Sequence, residues 1–127
     1  MSKSTEEGNY ALTVETNPQV YNRRKYPRAP LKNMCTIRVK ETDFLCCGSM
    51  VNISANGFAF SVREPEFAEM KGREVALEID DFDVFDGEYL LGSIIRCSNN
   101  GGEYIVGCRM PSDSKEIEEY VNRNYSE

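Results

Sequence analysis

From residue 34 onward the chain alternates apolar and polar positions with a period of two. Cys35, Ile37 and Val39 alternate with Thr36, Arg38 and Lys40, the pattern of a strand with one face buried. A second strand is predicted over 44–53. After Asn56-Gly57, a strong turn signal, Phe58, Phe60 and Val62 alternate again. Val75, Leu77 and Ile79 alternate with Glu74, Ala76 and Glu78 in the cleanest strand of the chain. An acidic loop is expected over 80–87. Strands over 89–97 and 103–110 flank Asn99-Asn100-Gly101-Gly102, a hairpin signal.

Only the end reads as helical. Asp113 with Glu116 offers a capping box, and Ile117, Tyr120 and Val121 make the stripe of one short amphipathic helix. About six short strands separated by turns predict an all-β fold, a compact antiparallel barrel with a short C-terminal α-helix. Residues 1–20 are polar and aperiodic and read as a flexible lead-in. Residues 21–127 then form the domain. The segment 21–33 is broken by Pro27 and Pro30, which predicts an extended or looped course.

Composition narrows the function. The chain has 127 residues, 40% hydrophobic and 28% charged, which suits one soluble domain. No apolar run reaches the ~20 residues of a membrane helix and no apolar leader opens the chain, so a cytoplasmic protein without membrane insertion is expected. Histidine is absent, which removes the commonest general base, the usual triads and most zinc sites. The five cysteines, Cys35, Cys46, Cys47, Cys97 and Cys108, contain no Cys-x-x-Cys pair and are expected reduced. Cys35, Cys97 and Cys108 fall in strand-like runs, where a free thiol serves as a small hydrophobe. The carboxylates at Asp80, Asp81, Asp83 and Asp86 do not complete a calcium loop, because Gly92 stands where an EF-hand needs Glu. No metal, no cofactor and no enzyme activity are expected.

The net charge of −6 is unevenly spread. Five of the 15 cations (Arg23, Arg24, Lys25, Arg28 and Lys32) lie between Pro18 and Asn33 without an acid, leaving 10 cations against 21 acids elsewhere. One cationic segment on an acidic chain suits a small anion. A DNA or RNA strand would meet net repulsion.

Two motifs carry candidate chemistry. Arg24 and Arg28 form Arg-x-x-x-Arg; a guanidinium bonds guanine O6 and N7 or a phosphate in a bidentate way and stacks on a purine. Taken alone, this is equally a solvated basic run. Asn52-Ile53-Ser54-Ala55-Asn56-Gly57 offers a donor and acceptor at Asn52, a hydroxyl at Ser54, and at Gly57 freedom for positive φ and close backbone approach. Taken alone, this is equally a hairpin whose turn wants Asn-Gly.

In order and spacing, the two motifs together resemble the PilZ domain family, whose signature is Arg-x-x-x-Arg followed by Asp/Asn-x-Ser-x-x-Gly. The resemblance covers residues 21–110, with the short helix after it in keeping. It implies a six-stranded antiparallel PilZ-type β-barrel from a bacterial second-messenger system, binding cyclic di-GMP. It further implies that Arg24 and Arg28 grip guanine and phosphate, that Asn52 and Ser54 read a guanine edge, and that Gly57 shapes the turn. Arg23, just before the motif, is of a type that in this family goes with an intercalated pair of ligands. Two departures stand out: Asn52 replaces the commoner Asp, and the last strand ends Cys108-Arg109-Met110 where the family tends to close on an aromatic residue. The implied protein is a receptor whose arginine loop orders on binding and which signals to an unidentified downstream protein. The alternative is a PilZ-like protein–protein adaptor that binds no ligand.

Overall fold

The computed structural model describes residues 26–85, 87 and 89–125. Among these residues seven strands and one α-helix follow in order: β1 (Ala29–Pro30), β2 (Met34–Val39), β3 (Leu45–Ser54), β4 (Gly57–Val62), β5 (Glu74–Ile79), β6 (Leu90–Asn100), β7 (Glu103–Arg109) and α1 (Lys115–Tyr125). All pairings are antiparallel. β3 pairs with β2, β2 with β5, β5 with β6, β6 with β7, β7 with β4, and β4 returns to β3. This closes a six-stranded barrel and leaves none of the six as a free sheet edge. β1 is the extra strand, laid along β3 with Ala29 opposite Ile53 and Pro30 opposite Asn52.

The alternation seen in the sequence is the inside–outside alternation of the barrel. Ile37, Val39, Ile53, Phe60, Val75, Leu77, Ile94 and Val106 point inward and are buried. Between β4 and β5 runs a short 3-10 helix, Pro65–Glu69, which the periodicity does not announce. It drops Phe67 into the core, edge-on to Phe44 at 5.4 Å and to Phe60 at 5.7 Å, the edge-to-face geometry that aromatic quadrupoles favour. Cys35, Cys46 and Cys108 are buried and Cys47 is exposed, all as free thiols. Burial in apolar surroundings raises the thiols of Cys35, Cys46 and Cys108 to about 12, so they pack as small hydrophobes.

Two local expectations need correction. The β3–β4 turn is centred one residue earlier than Asn56-Gly57: Ser54 pairs with Gly57, so the loop is Ala55-Asn56. Neither loop residue has positive φ, so an Asn-Gly type I′ turn does not form. By contrast, Gly101 and Gly102 do take positive φ, 68° and 90°, in the β6–β7 hairpin. The helix is capped by Ser114 rather than by Asp113 with Glu116. The Ser114 hydroxyl accepts the Ile117 N–H at 3.2 Å, which satisfies one otherwise orphaned donor of the first turn, and its carbonyl accepts the Glu118 N–H at 3.0 Å as the first intrahelical bond. Asp113 is thereby released to bond elsewhere. Ile117 and Val121 are buried, as the stripe predicts.

Candidate functional site

The site begins with two β-bulges. In β3, Met50 pairs with Phe60 and Asn52 with Ala59, so Val51 is an extra residue. In β6, Ile94 pairs with Cys108 and Arg96 with Gly107, so Ile95 is extra. A single inserted residue reverses which face the following side chains occupy. Met50 and Ile94 point inward. Strict alternation would send Asn52 and Arg96 inward too; the bulges turn both outward and let Ile53 point in.

Pairing then aligns these residues across four strands. One row on the outer face runs Asn52, Ala59, Gly107, Arg96. The next outer row runs Ser54, Gly57, Arg109, Ser93. The row between them, Ile53, Phe58, Cys108 and Ile94, is buried. Ala59 and Gly107 fill the middle of the first row and Gly57 stands beside them in the second, so the barrel surface dips there. The result is an open cleft of about 270 Å³.

Arg28, Arg96 and Arg109 all line this cleft, together with Tyr26, Asn52, Ser54, Asn56 and Gly57, and among the described residues no carboxylate does. Arg28 precedes β1, so continuing the Ala29–Ile53 register by one residue sets it across from Ser54. Arg96 lies against the bare backbone of Gly107: a Cβ there would stand 3.2 Å from its Cζ and 3.3 Å from its Nε. Among the described residues, neither Arg96 nor Arg109 makes an ion pair.

Of the expected site residues, the structure brings together Arg28, Asn52, Ser54 and Gly57. Arg23 and Arg24 lie outside the described residues, as does the 1–20 lead-in. Ser54 is buried, and its hydroxyl is engaged in the turn, 2.9 Å from Asn56 Oδ1 and 3.3 Å from the Gly57 carbonyl, while accepting the Asn56 N–H at 3.4 Å. Gly57 needs no positive φ, contrary to expectation. Its lack of a side chain answers a close approach instead: a Cβ would sit 2.6 Å from the Cys108 carbonyl oxygen. The turn is held from outside, where the Met110 N–H donates to the Asn56 carbonyl at 2.9 Å and the Ser114 N–H to the Ala55 carbonyl at 2.7 Å. The Tyr26 hydroxyl donates to Asp113 Oδ2 at 2.7 Å, tying the end of the arginine segment to the start of α1.

Arg96 and Arg109 are the cleft residues that the sequence reading missed. Their signal is the broken alternation at Ile94-Ile95-x-Cys97 and an arginine closing β7, but only cross-strand pairing shows that both face the same cleft. A bare floor walled by guanidiniums and amides binds a planar, anionic ligand by stacking and bidentate hydrogen bonds.

The family model for the PilZ domain matches residues 22–123, and no curated protein matches the sequence. Among solved structures, the chain is similar to the inhibitor of motility MotI/DgrA of Bacillus subtilis, with a TM-score of 0.63 at 17% identity over 86% of this chain and 56% of that one. It is similar to the PilZ domain of YcgR from Escherichia coli with cyclic di-GMP, with a TM-score of 0.60 at 17% identity over 80% of this chain and 88% of that one. The K. pneumonia MrkH–cyclic di-GMP complex gives a TM-score of 0.57 at 13% identity over 81% of this chain and 50% of that one. The chain thus spans about half the length of the MotI and MrkH chains. At these identities the likeness is one of fold.

Proposed function

Because the chain belongs to the PilZ domain family, we propose that it is a binding protein, not an enzyme, and that its ligand is cyclic di-GMP. The observation that carries this reading is the cleft walled by Arg28, Arg96 and Arg109, without a carboxylate among its described lining residues, on a chain of net charge −6. The cyclic di-GMP complexes of YcgR and MrkH support it through the shared fold. In this reading Arg24 and Arg28 hold guanine and phosphate, Asn52 reads a guanine edge, and Ser54 and Gly57 keep the turn in shape beside the base. Arg23 accompanies an intercalated pair of ligands. The messenger's phosphates supply the arginine segment with anionic partners, and its ordering presents a new surface to a downstream protein.

Isothermal titration with cyclic di-GMP tests the reading on the wild type and on Arg24→Ala with Arg28→Ala. Binding that disappears in the double variant, whose circular dichroism is unchanged, supports it; two equivalents per chain support the intercalated pair. No heat and no thermal stabilisation in the wild type would leave the ligand-free adaptor as the better account.

A further inference from the structure

Resting on the cyclic di-GMP reading, we propose that Arg96 is a specificity-determining residue of the cleft, stacking on and bonding the purine farthest from Asn52, with Arg109 supplying charge beside it. Neither residue belongs to the two sequence motifs. Three observations assign the role. The bulge at Ile95 turns Arg96 out of the core and onto the cleft face. Gly107 leaves it a bare strand to lie against, with Cγ, Cζ and Nε all 3.2–3.3 Å from where a Cβ would be, so one side of its plane is backed by the protein. And on a chain with 21 acids, neither Arg96 nor Arg109 takes an ion-pair partner among the described residues. Guanidiniums held against a concave floor with no carboxylate among its described residues meet a ligand's anionic and aromatic parts without first breaking a salt bridge there.

The row geometry says which part of the ligand. Asn52 and Arg96 stand at opposite ends of a four-residue row. Strands lie about 4.8 Å apart, so the two backbones are about 14 Å from one another, and the Arg96 guanidinium, laid over Gly107, stands about two strand spacings (~10 Å) from the Asn52 backbone. In this assignment the base read by Asn52 and the base stacked on Arg96 are the two purines of the ligand. A dinucleotide carries a second purine, and Arg96 recognises it by its plane and its fork, which lysine lacks.

Titration of cyclic di-GMP into Arg96→Ala, Arg96→Lys and Arg109→Ala tests this, with thermal unfolding of each unliganded variant as the control for folding. The expected result is at least tenfold weaker binding by Arg96→Ala, or loss of one equivalent if the wild type takes two, with Arg96→Lys remaining at least fivefold weaker than wild type. Arg109→Ala weakens binding by a smaller factor that shrinks with added salt. Wild-type affinity and stoichiometry in Arg96→Ala would overturn the assignment while leaving the receptor reading intact. So would full recovery in Arg96→Lys, which would reduce the residue to a charge. A wild type that binds no cyclic di-GMP overturns both.

Discussion

Ala29 lies directly opposite Ile53 in an antiparallel pair, and this one contact joins the two motifs of the chain. Ala29 follows the arginine segment, and Ile53 stands between Asn52 and Ser54. The fully buried Ala29 and Ile53 anchor the pair in the core. Arg28 is thereby set at the mouth of the cleft, beside the strand that carries the amide and the hydroxyl. The register of the pair is specified because Ile53 is also fixed by its pairing with Phe58, and a slip of β1 by one residue would turn the buried Ala29 to solvent.

Gly57→Ala tests the close approach of β4 and β7. The added methyl would meet the Cys108 carbonyl oxygen at 2.6 Å, and a backbone atom cannot swing aside. The variant is expected to lose about 1–3 kcal/mol of stability, as overpacked positions do, and to bind cyclic di-GMP more weakly as the strands part. Urea unfolding and titration measure the two effects.

Ser54→Ala removes the hydroxyl that bridges Asn56 and Gly57 inside the turn. Ser54 is buried, so its partners are left without it where water is scarce. A loss of about 1 kcal/mol is expected, read as a lower urea midpoint at unchanged slope. Ser54→Thr, which keeps the hydroxyl, should keep more of the stability.

The Tyr26–Asp113 hydrogen bond couples the arginine segment to α1 through an exposed contact. Tyr26→Phe, Asp113→Asn and the double variant form a cycle whose coupling energy in stability is expected to be small, about 0.5 kcal/mol. The larger effect is expected in hydrogen exchange, where amides next to Tyr26 open more readily in Tyr26→Phe while those of the barrel core keep wild-type protection.

Asn52→Asp restores the residue commoner in the family. A carboxylate accepts from guanine N–H donors through charge-assisted bonds, stronger than those of an amide oxygen. In a cleft lined by three arginines and, among the described residues, no acid, the added charge is well placed. Tighter binding of cyclic di-GMP, by about fivefold, is expected by titration; weaker binding would show that Asn52 does not face guanine.

The thiols set an alkaline limit. Burial raises Cys35, Cys46 and Cys108 from 9.0 to about 12. The unfolded chain therefore releases these protons first. Their contribution to stability is complete below pH 9 and is lost as pH rises from 9 toward 12. Chemical denaturation at pH 8, 9.5 and 11 should show the decline. Alkylation at pH 8 should modify exposed Cys47 promptly and spare the three buried thiols until the chain unfolds.

Much of this fold is legible in the chain because it is local. Alternation at Cys35-Ile37-Val39 and Val75-Leu77-Ile79 marks strands, since side-chain direction in a strand depends on nothing but parity. The Gly101-Gly102 hairpin is legible because only glycine takes its φ values freely. The Ser114 cap was missed because Asp113 and Ser114 are both good N-caps by type, and the choice fell to Tyr26, 87 residues away, which bonds Asp113. The Ala55-Asn56 turn was misplaced because the Met110 and Ser114 amides, distant in sequence, hold its carbonyls.

Local pattern in the chain specified the six strands of the barrel, the terminal helix, and two motifs rich in guanidinium, amide and hydroxyl groups, but not the short extra strand β1. Tertiary structure alone decided which of those groups share a surface. Asn52 and Arg96 face the cleft because Val51 and Ile95 bulge, and the bulges let Met50 and Ile53, and Ile94 and Cys97, both face the core though three residues apart. Closing the barrel then sets β7 and β6 beside β4, bringing Arg109 and Arg96 to a site whose motifs end at Gly57. Register between distant strands is fixed by the packing of the core, and packing is a property of the assembled barrel rather than of any stretch of chain.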